Sequence, residues 1–326
     1  MDNEEGAKTL CWTLTFSQRW CCVDLDSFLV SLYVRIDDWW QANHSSTLRR
    51  PGRRALLSGS EVLTLAILAQ WPRWRSERDF WRFADAHLRC YFTTLCSQSQ
   101  LNRRIRAPEP GLRALQRVFA KELCEPSVIY RVLDTALIPA IVRVRACRKG
   151  LFAGQASFCR RASKTEWAYG FKVALVVDPE VVITTFGLAQ AASGEKPIGE
   201  ALITQDRHGA YLADKRLHGS RVGAALAGGP RDACCGYSKE QLPRAWSKED
   251  RRWAAGKRQI IEGVIGQLKD FFGLARHRAK TLSGLLSRLV TKVTAVHLWS
   301  TDQRLSWLTA APPGGPVGLA RCTSAV

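Results

Sequence analysis

Three carboxylates stand where solvation alone is a thin reason for an acid. Asp134 follows the β-rich run VIYRVL. Asp214 follows the short apolar run Ala210–Ala213. Glu262 sits inside RQIIEGVIGQLKDFFGLARHRAK, residues Arg258–Lys280, a run in which Glu262 and Asp270 are the only acids. Each has an ordinary reading. An Asp after a strand is a common turn former or helix cap. An Arg258–Glu262 pair at i,i+4 is worth about 0.2–0.5 kcal/mol on a solvated helix. Taken together the three offer more. On a helical wheel Ile261, Val264, Leu268 and Phe271 form one apolar stripe, and Arg258, Glu262, Ile265 and Lys269 a second at its edge. Attack on a phosphodiester by water or by a 3′-hydroxyl needs charge stabilised on both the entering and the leaving oxygen. Two Mg²⁺ ions about 3.5–4 Å apart do this. Such ions take oxygen ligands from a few carboxylates and from substrate phosphate. Asp134, Asp214 and Glu262 are the candidate ligands, and Arg258 and Lys269 would meet phosphates beside them. Gly263 and Gly266 each cost a helix about 1 kcal/mol relative to Ala, which points to close approach of another backbone or of a nucleic acid strand.

The charge balance agrees. The chain has 326 residues, is 46% hydrophobic and carries a net charge of +19. It is long enough for two domains, and so large a basic excess fits a polyanionic partner, DNA or RNA. An anionic membrane surface is the competing partner. No apolar run approaches the length of a membrane span, and the opening MDNEEGAK is acidic where a secretory signal would be basic. The expectation is a cytoplasmic, nucleoid-associated protein. The eleven cysteines include no C-x-x-C pair, and His87, Cys90 and Cys96 lack the further ligand that a zinc site would need. They read as reduced, small apolar side chains.

The positioning elements come in two blocks. Residues 1–125 read as all-helical. Asp26–Trp40 has helical periodicity, and three capping boxes follow, Ser58–Glu61, Ser76–Asp79 and Ser97–Gln100. They predict helices over Ser60–Gln70, Glu77–His87 and Gln98–Ile105. The third is basic, and three short helices of this kind resemble a helix-turn-helix DNA-binding region. Asn102, Arg103, Arg104 and Arg106 are its candidate DNA contacts; a solvated charged face is the alternative. A linking helix runs to about Leu123. Residues 126–305 then alternate. Strands are expected at Val128–Leu133, Phe171–Val177, Val181–Leu188, Ala210–Ala213 and Val222–Leu226. The second and third form a hairpin around Asp178-Pro179-Glu180, a helix spans Ile198–Gln205, and helices resume from about Lys248. That is an α/β fold, a mixed sheet flanked by helices. Both first acids would stand at strand ends. Residues 306–326 are rich in Pro and Gly and read as a disordered tail.

Several stretches together resemble the DDE transposases of bacterial insertion sequences: YRVLDTALIP, KTEWAYGFKVALVVDPEVVITTFGLA, ADKRLHG and RQIIEGVIGQLKDFFGLARHRAKTLSGLLSRL, with SGSEVLTLAILAQW and SERDFWRF upstream. The resemblance spans about Leu25 to Leu298. It implies an RNase H-like catalytic domain in which Asp134, Asp214 and Glu262 are the catalytic acids and hold two Mg²⁺ (or Mn²⁺) ions. Arg258 and Lys269 match the basic positions of the family's Arg–Glu–Lys signature. The activity implied is cleavage at the ends of a mobile element and strand transfer into target DNA, by a homodimer on paired ends. Two positions depart from the family pattern. Asp214 is followed by Lys215-Arg216-Leu217 where Lys-Gly-Tyr is usual, and AQAASGEKP replaces a Pro-Ala-Asn type sequence. The alternative function is DNA binding without catalysis.

Overall fold

The computed structural model describes residues 25–44, 55–71, 74, 76–106, 109–125, 127–160, 166–208, 210–213, 234–236 and 248–299. The described residues fall into two compact units, one within Met1–Ala69, Arg73–Ala107 and Leu298–Val326, the other within Gln70–Pro72 and Pro108–His297.

The first unit is helical: α1 Leu25–His44, α2 Gly59–Leu68, α3 Glu77–His87 and α4 Gln98–Arg106. Its starts are set by the expected caps. Ser58 Oγ accepts from Glu61 N at 3.1 Å while the Glu61 carboxylate returns to Ser58 N. Ser76 Oγ accepts from Asp79 N at 3.1 Å. Ser97 and Gln100 exchange both bonds of the box, at 3.2 and 3.4 Å. The middle of the unit is α2, buried at every residue from Val62 to Leu68. It starts on a glycine because a Cβ on Gly59 would lie 2.1 Å from the Trp40 ring.

The second unit contains α5 (Glu109–Leu123), β1 (Arg131–Ile141), α6 (Arg143–Lys149), β2 (Ser157–Arg160), β3 (Trp167–Val177), β4 (Ile183–Gln190), α7 (Glu195–Asp206), β5 (Tyr211–Ala213), β6 (Cys234–Gly236), α8 (Lys248–Gly266) and α9 (Leu282–Trp299). A π turn, Gln267–Phe271, and a 3₁₀ turn, Leu274–Arg276, follow α8. The sheet is mixed. β4, β3 and β1 are antiparallel neighbours, and β5 and β6 extend β1 in parallel. β2 pairs with the first residues of β3, ahead of the stretch that β4 pairs. Leu202 and Ile203 of α7 pack on Leu133, Ala174, Val176, Tyr211 and Ala213, one face of the sheet. Among the described residues no helix is long and apolar enough to cross a membrane.

The expected hairpin is present between β3 and β4, where Asp178 Oδ1 accepts from Val182 N at 2.8 Å. The first strand differs from its expectation at both ends. The first strand does not end before Asp134: it begins at Arg131 and runs to Ile141, because β3 supplies an antiparallel partner from Val177 back to Tyr169. Pro139 is tolerated within it beside a register shift between Pro139 and Ile141. Ile129, expected in that strand, is 84% exposed. Strands β2 and β6 were not legible in the sequence pattern. The expected strand Val222–Leu226 and tail 306–326 lie outside the described residues.

Gly170 stands at the irregular end of the β1–β3 ladder. A Cβ there would lie 2.1 Å from the Ile138 carbonyl oxygen and 2.8 Å from Ala140 N. Both are backbone atoms, which cannot swing aside. Gly170→Ala is therefore expected to destabilise the chain by about 1–3 kcal/mol or more, measured as a lower urea midpoint. An unchanged midpoint would mean that the two strands are further apart than described.

The side chains sewing the elements together are polar. Ile183 at the start of β4 donates its N–H to His297 Nε2 of α9 at 3.0 Å and accepts from Gln116 Nε2 of α5 at 3.1 Å. Cys124 is a half-buried thiol whose pKa is pushed up to about 12 by burial, with Asp178 adding to the effect. Cys96 is buried and Cys90 exposed.

Candidate active site

Asp134 is the fourth residue of β1, opposite Leu175 of β3. It is half-buried, and its Oδ1 accepts from Thr135 N at 2.7 Å. Side chains alternate along a strand, so Asp134 shares a sheet face with Val132, Ala136 and Ile138, not with Leu133 and the α7 cluster. Among the described residues, none of α8 enters that cluster. Helix α8 packs against β1, β3 and β5, which leaves it the face that Asp134 shares. Its Trp253 ring meets Tyr130, just before β1, edge-on at 5.2 Å.

Helix α8 forms because Ala254, Ile261 and Val264 recur on one side and are buried, with Leu268 of the π turn continuing the stripe. Glu262 is exposed, and Arg258 and Lys269 are half-buried. Among the described residues Glu262 makes no hydrogen bond or ion pair. The ordinary reading of Glu262, an i,i+4 pair with Arg258, is therefore not realised between these two side chains. Among the described residues, a Cβ on Gly263 or Gly266 would meet nothing within 4 Å. Their cost in helix stability is not explained by a neighbouring protein backbone, contrary to one of the two sequence expectations.

Asp214 lies outside the described residues. The register of its strand is described: β5 runs parallel to β1 with Ala213 paired to Leu133. The residues immediately preceding Asp214 and Asp134 are thus partners in the sheet. Among the described residues no three His, Cys, Asp or Glu side chains group as a metal site. In the first unit, Leu101 holds α4 in the core, Asn102 and Arg104 are half-buried, and Arg103 and Arg106 are exposed. Arg106 Nε donates to the Asn102 carbonyl at 3.1 Å.

The segment after α8 is held by His277, which is 5% exposed and accepts from Ala279 N at Nδ1, 3.0 Å. Burial pushes its pKa down from 6.5 to about 4, with Arg288 and Lys292 adding to the fall and the Pro139 carbonyl opposing it. Between these values the unfolded chain binds the proton and the folded chain does not. Stability from this group is complete above about pH 6.5 and is lost as pH falls through about 4. The chain should be about 2 kcal/mol less stable at pH 5 than at pH 8 on this account. Urea unfolding at both pH values measures it, and His277→Phe should flatten the difference. An equal pH slope in that variant would remove His277 as its source.

Residues 143–298 match the family model described as Transposase DDE domain. The match takes in Asp214, Arg258, Glu262 and Lys269 and begins after Asp134. An α/β domain with a mixed sheet flanked by helices is consistent with that likeness. No curated protein and no solved structure matches the chain.

Proposed function

We propose that this chain is a DDE transposase of a bacterial insertion sequence. In this reading residues 126–305 form an RNase H-like catalytic domain, and the helical residues 1–125 bind the element ends through Asn102, Arg103, Arg104 and Arg106 of α4. The observation that carries the reading is the strand register. Leu133 and Ala213 are paired, and α8, the bearer of Glu262, packs on the same strands. The sheet order supports it further: three antiparallel strands, then α7, then two parallel strands added on the β1 side. The transposase family match supports it independently of the strand geometry.

Asp134, Asp214 and Glu262 would hold two Mg²⁺ or Mn²⁺ ions. The donor set fits, because all three offer carboxylate oxygens and Glu262 has no other partner among the described residues. The ions would neutralise charge building on the attacking and leaving oxygens of the phosphodiester. The protein's own part is to fix the donors. Asp134 is carried on the central strand β1 and oriented by the Thr135 N–H. Glu262 is carried on a helix anchored by Ile261 and Val264. Arg258 and Lys269 flank it and bind phosphate on either side of the scissile bond. Two copies acting on paired ends, in the cytoplasm at the nucleoid, complete the reading.

The test uses the purified chain, a duplex bearing the DNA that flanks its reading frame, and Mg²⁺. Nicked and then joined products are expected, and EDTA abolishes both. Binding without nicking would favour a DNA-binding protein without catalysis. The observation on that side is the departure at Arg216 and Leu217 after Asp214.

A further inference from the structure

We infer that a second surface, the solvent face of α5 with the cleft it forms against β4 and α7, binds the sugar–phosphate backbone of duplex DNA. The inference rests on DNA being the partner and does not depend on catalysis. Arg113, Arg117 and Lys121 are spaced four residues apart and form one ridge of α5. The opposite side of that helix is anchored by Leu112, Leu115 and Phe119, so the ridge is held outward. The three cations span roughly 12 Å of helix, facing a duplex that carries a charge about every 1.7 Å of its axis. Arg117 and Lys121 are exposed and make no ion pair among the described residues. Of the two acids of α5, Glu122 lies about 100° round the helix from Lys121, and Glu109 heads the row one turn before Arg113, away from the Arg117 and Lys121 end.

The cleft makes the ridge more than a solvated helix face. Arg113 and Arg117 line it together with Thr184 and Phe186 of β4 and Gln205 of α7. Arg113 is half-buried, and its guanidinium carbon lies over the Phe186 ring, 5.5 Å from the centroid, a cation–π contact. The acid nearest the cleft is already engaged. Asp206 accepts the hydroxyls of Thr184 and Thr185 at 2.7 and 2.8 Å and pairs with Arg131 at 2.7 Å. Among the described residues the donors without a partner are the Arg117 guanidinium, the Gln205 amide and, further along the ridge, the Lys121 ammonium, and a guanidinium fork matches the two free oxygens of a phosphodiester. Nothing in this arrangement reads base edges, so the contact is independent of sequence.

The full chain, titrated against a fluorescent random-sequence duplex over a range of salt concentrations, tests it. The double variant Arg117→Gln, Lys121→Gln should bind about tenfold or more weakly, with the slope of log K against log salt shallower by about 2, near 0.9 for each lost phosphate contact. Both side chains are exposed, and an unchanged melting temperature verifies the fold. A control pair with the same change in net charge, Arg89→Gln with Lys196→Gln, should keep the wild-type slope; Arg89 is already paired with Asp85. Lys121 should also be protected from amine acylation when DNA is bound. Wild-type affinity and slope in the α5 variant would overturn the inference, as would an equal loss in the control. A wild-type chain that does not bind DNA at all would sink the transposase reading and this surface with it, before any variant is compared.

Discussion

Glu262→Gln is expected to lower Mg²⁺-dependent cleavage and joining by more than roughly 100-fold, since even outer-shell partners of metal ligands are worth about 10–100-fold. Duplex binding and the unfolding midpoint should stay at their wild-type values. The reason lies in what surrounds this side chain. It is exposed, and among the described residues it forms neither a hydrogen bond nor an ion pair. Its neighbours Ile261 and Val264 anchor the helix without it. Gln keeps the shape and removes the charge, so any loss reports chemistry and not folding. Gel analysis of a labelled duplex, with circular dichroism and anisotropy alongside, measures all three quantities. Cleavage at the wild-type rate in this variant would remove Glu262 from the catalytic set and leave the two aspartates without their third ligand.

The largest effect on stability is expected at Asp206, at the end of α7. Its side chain is 3% exposed and pairs with Arg131 of β1 at 2.7 Å. It also accepts from Thr184 at 2.7 Å, Thr185 at 2.8 Å and Tyr211 at 2.9 Å. One carboxylate thus ties α7 to β1, β4 and β5. The same burial pushes the Tyr211 hydroxyl's pKa up, so it stays a donor. Asp206→Ala leaves a largely buried guanidinium and the hydroxyls of Thr185 and Tyr211 without their acceptor, and Thr184 with only the Val176 carbonyl at 3.4 Å. Breaking a buried pair from one side costs about 3–5 kcal/mol. In a domain of this size that is a fall of roughly 10 °C in the melting temperature. Adding Arg131→Met to the same chain should recover part of the loss, because the uncompensated charge is then gone. A cost below about 1 kcal/mol, the value of an exposed pair, would contradict the burial described here.

Which of these features could be read from the chain follows from distance along it. The helix starts at Ser58, Ser76 and Ser97 were legible because a capping box needs only a residue and its neighbour three further on. The hairpin at Asp178 was legible for the same reason. So was the apolar stripe of α8, as periodicity. The end of β1 was not, since nothing near Asp134 says that β3 will keep pairing as far as Ile141. The strands β2 and β6 were too short for a pattern. Asp206 was indistinguishable from any acid at a helix end, because its partners are Arg131, Thr184, Thr185 and Tyr211. By itself the sequence determined the local chemistry: where helices begin, where the chain turns, which side chains carry charge. Only the tertiary structure decided which carboxylate is consumed in holding the fold together, Asp206, and which has no partner among the described residues, Glu262. The physical reason is that a charge's partners and its access to water are set by strand register and helix packing between distant segments, and neither is encoded within a window of a few residues.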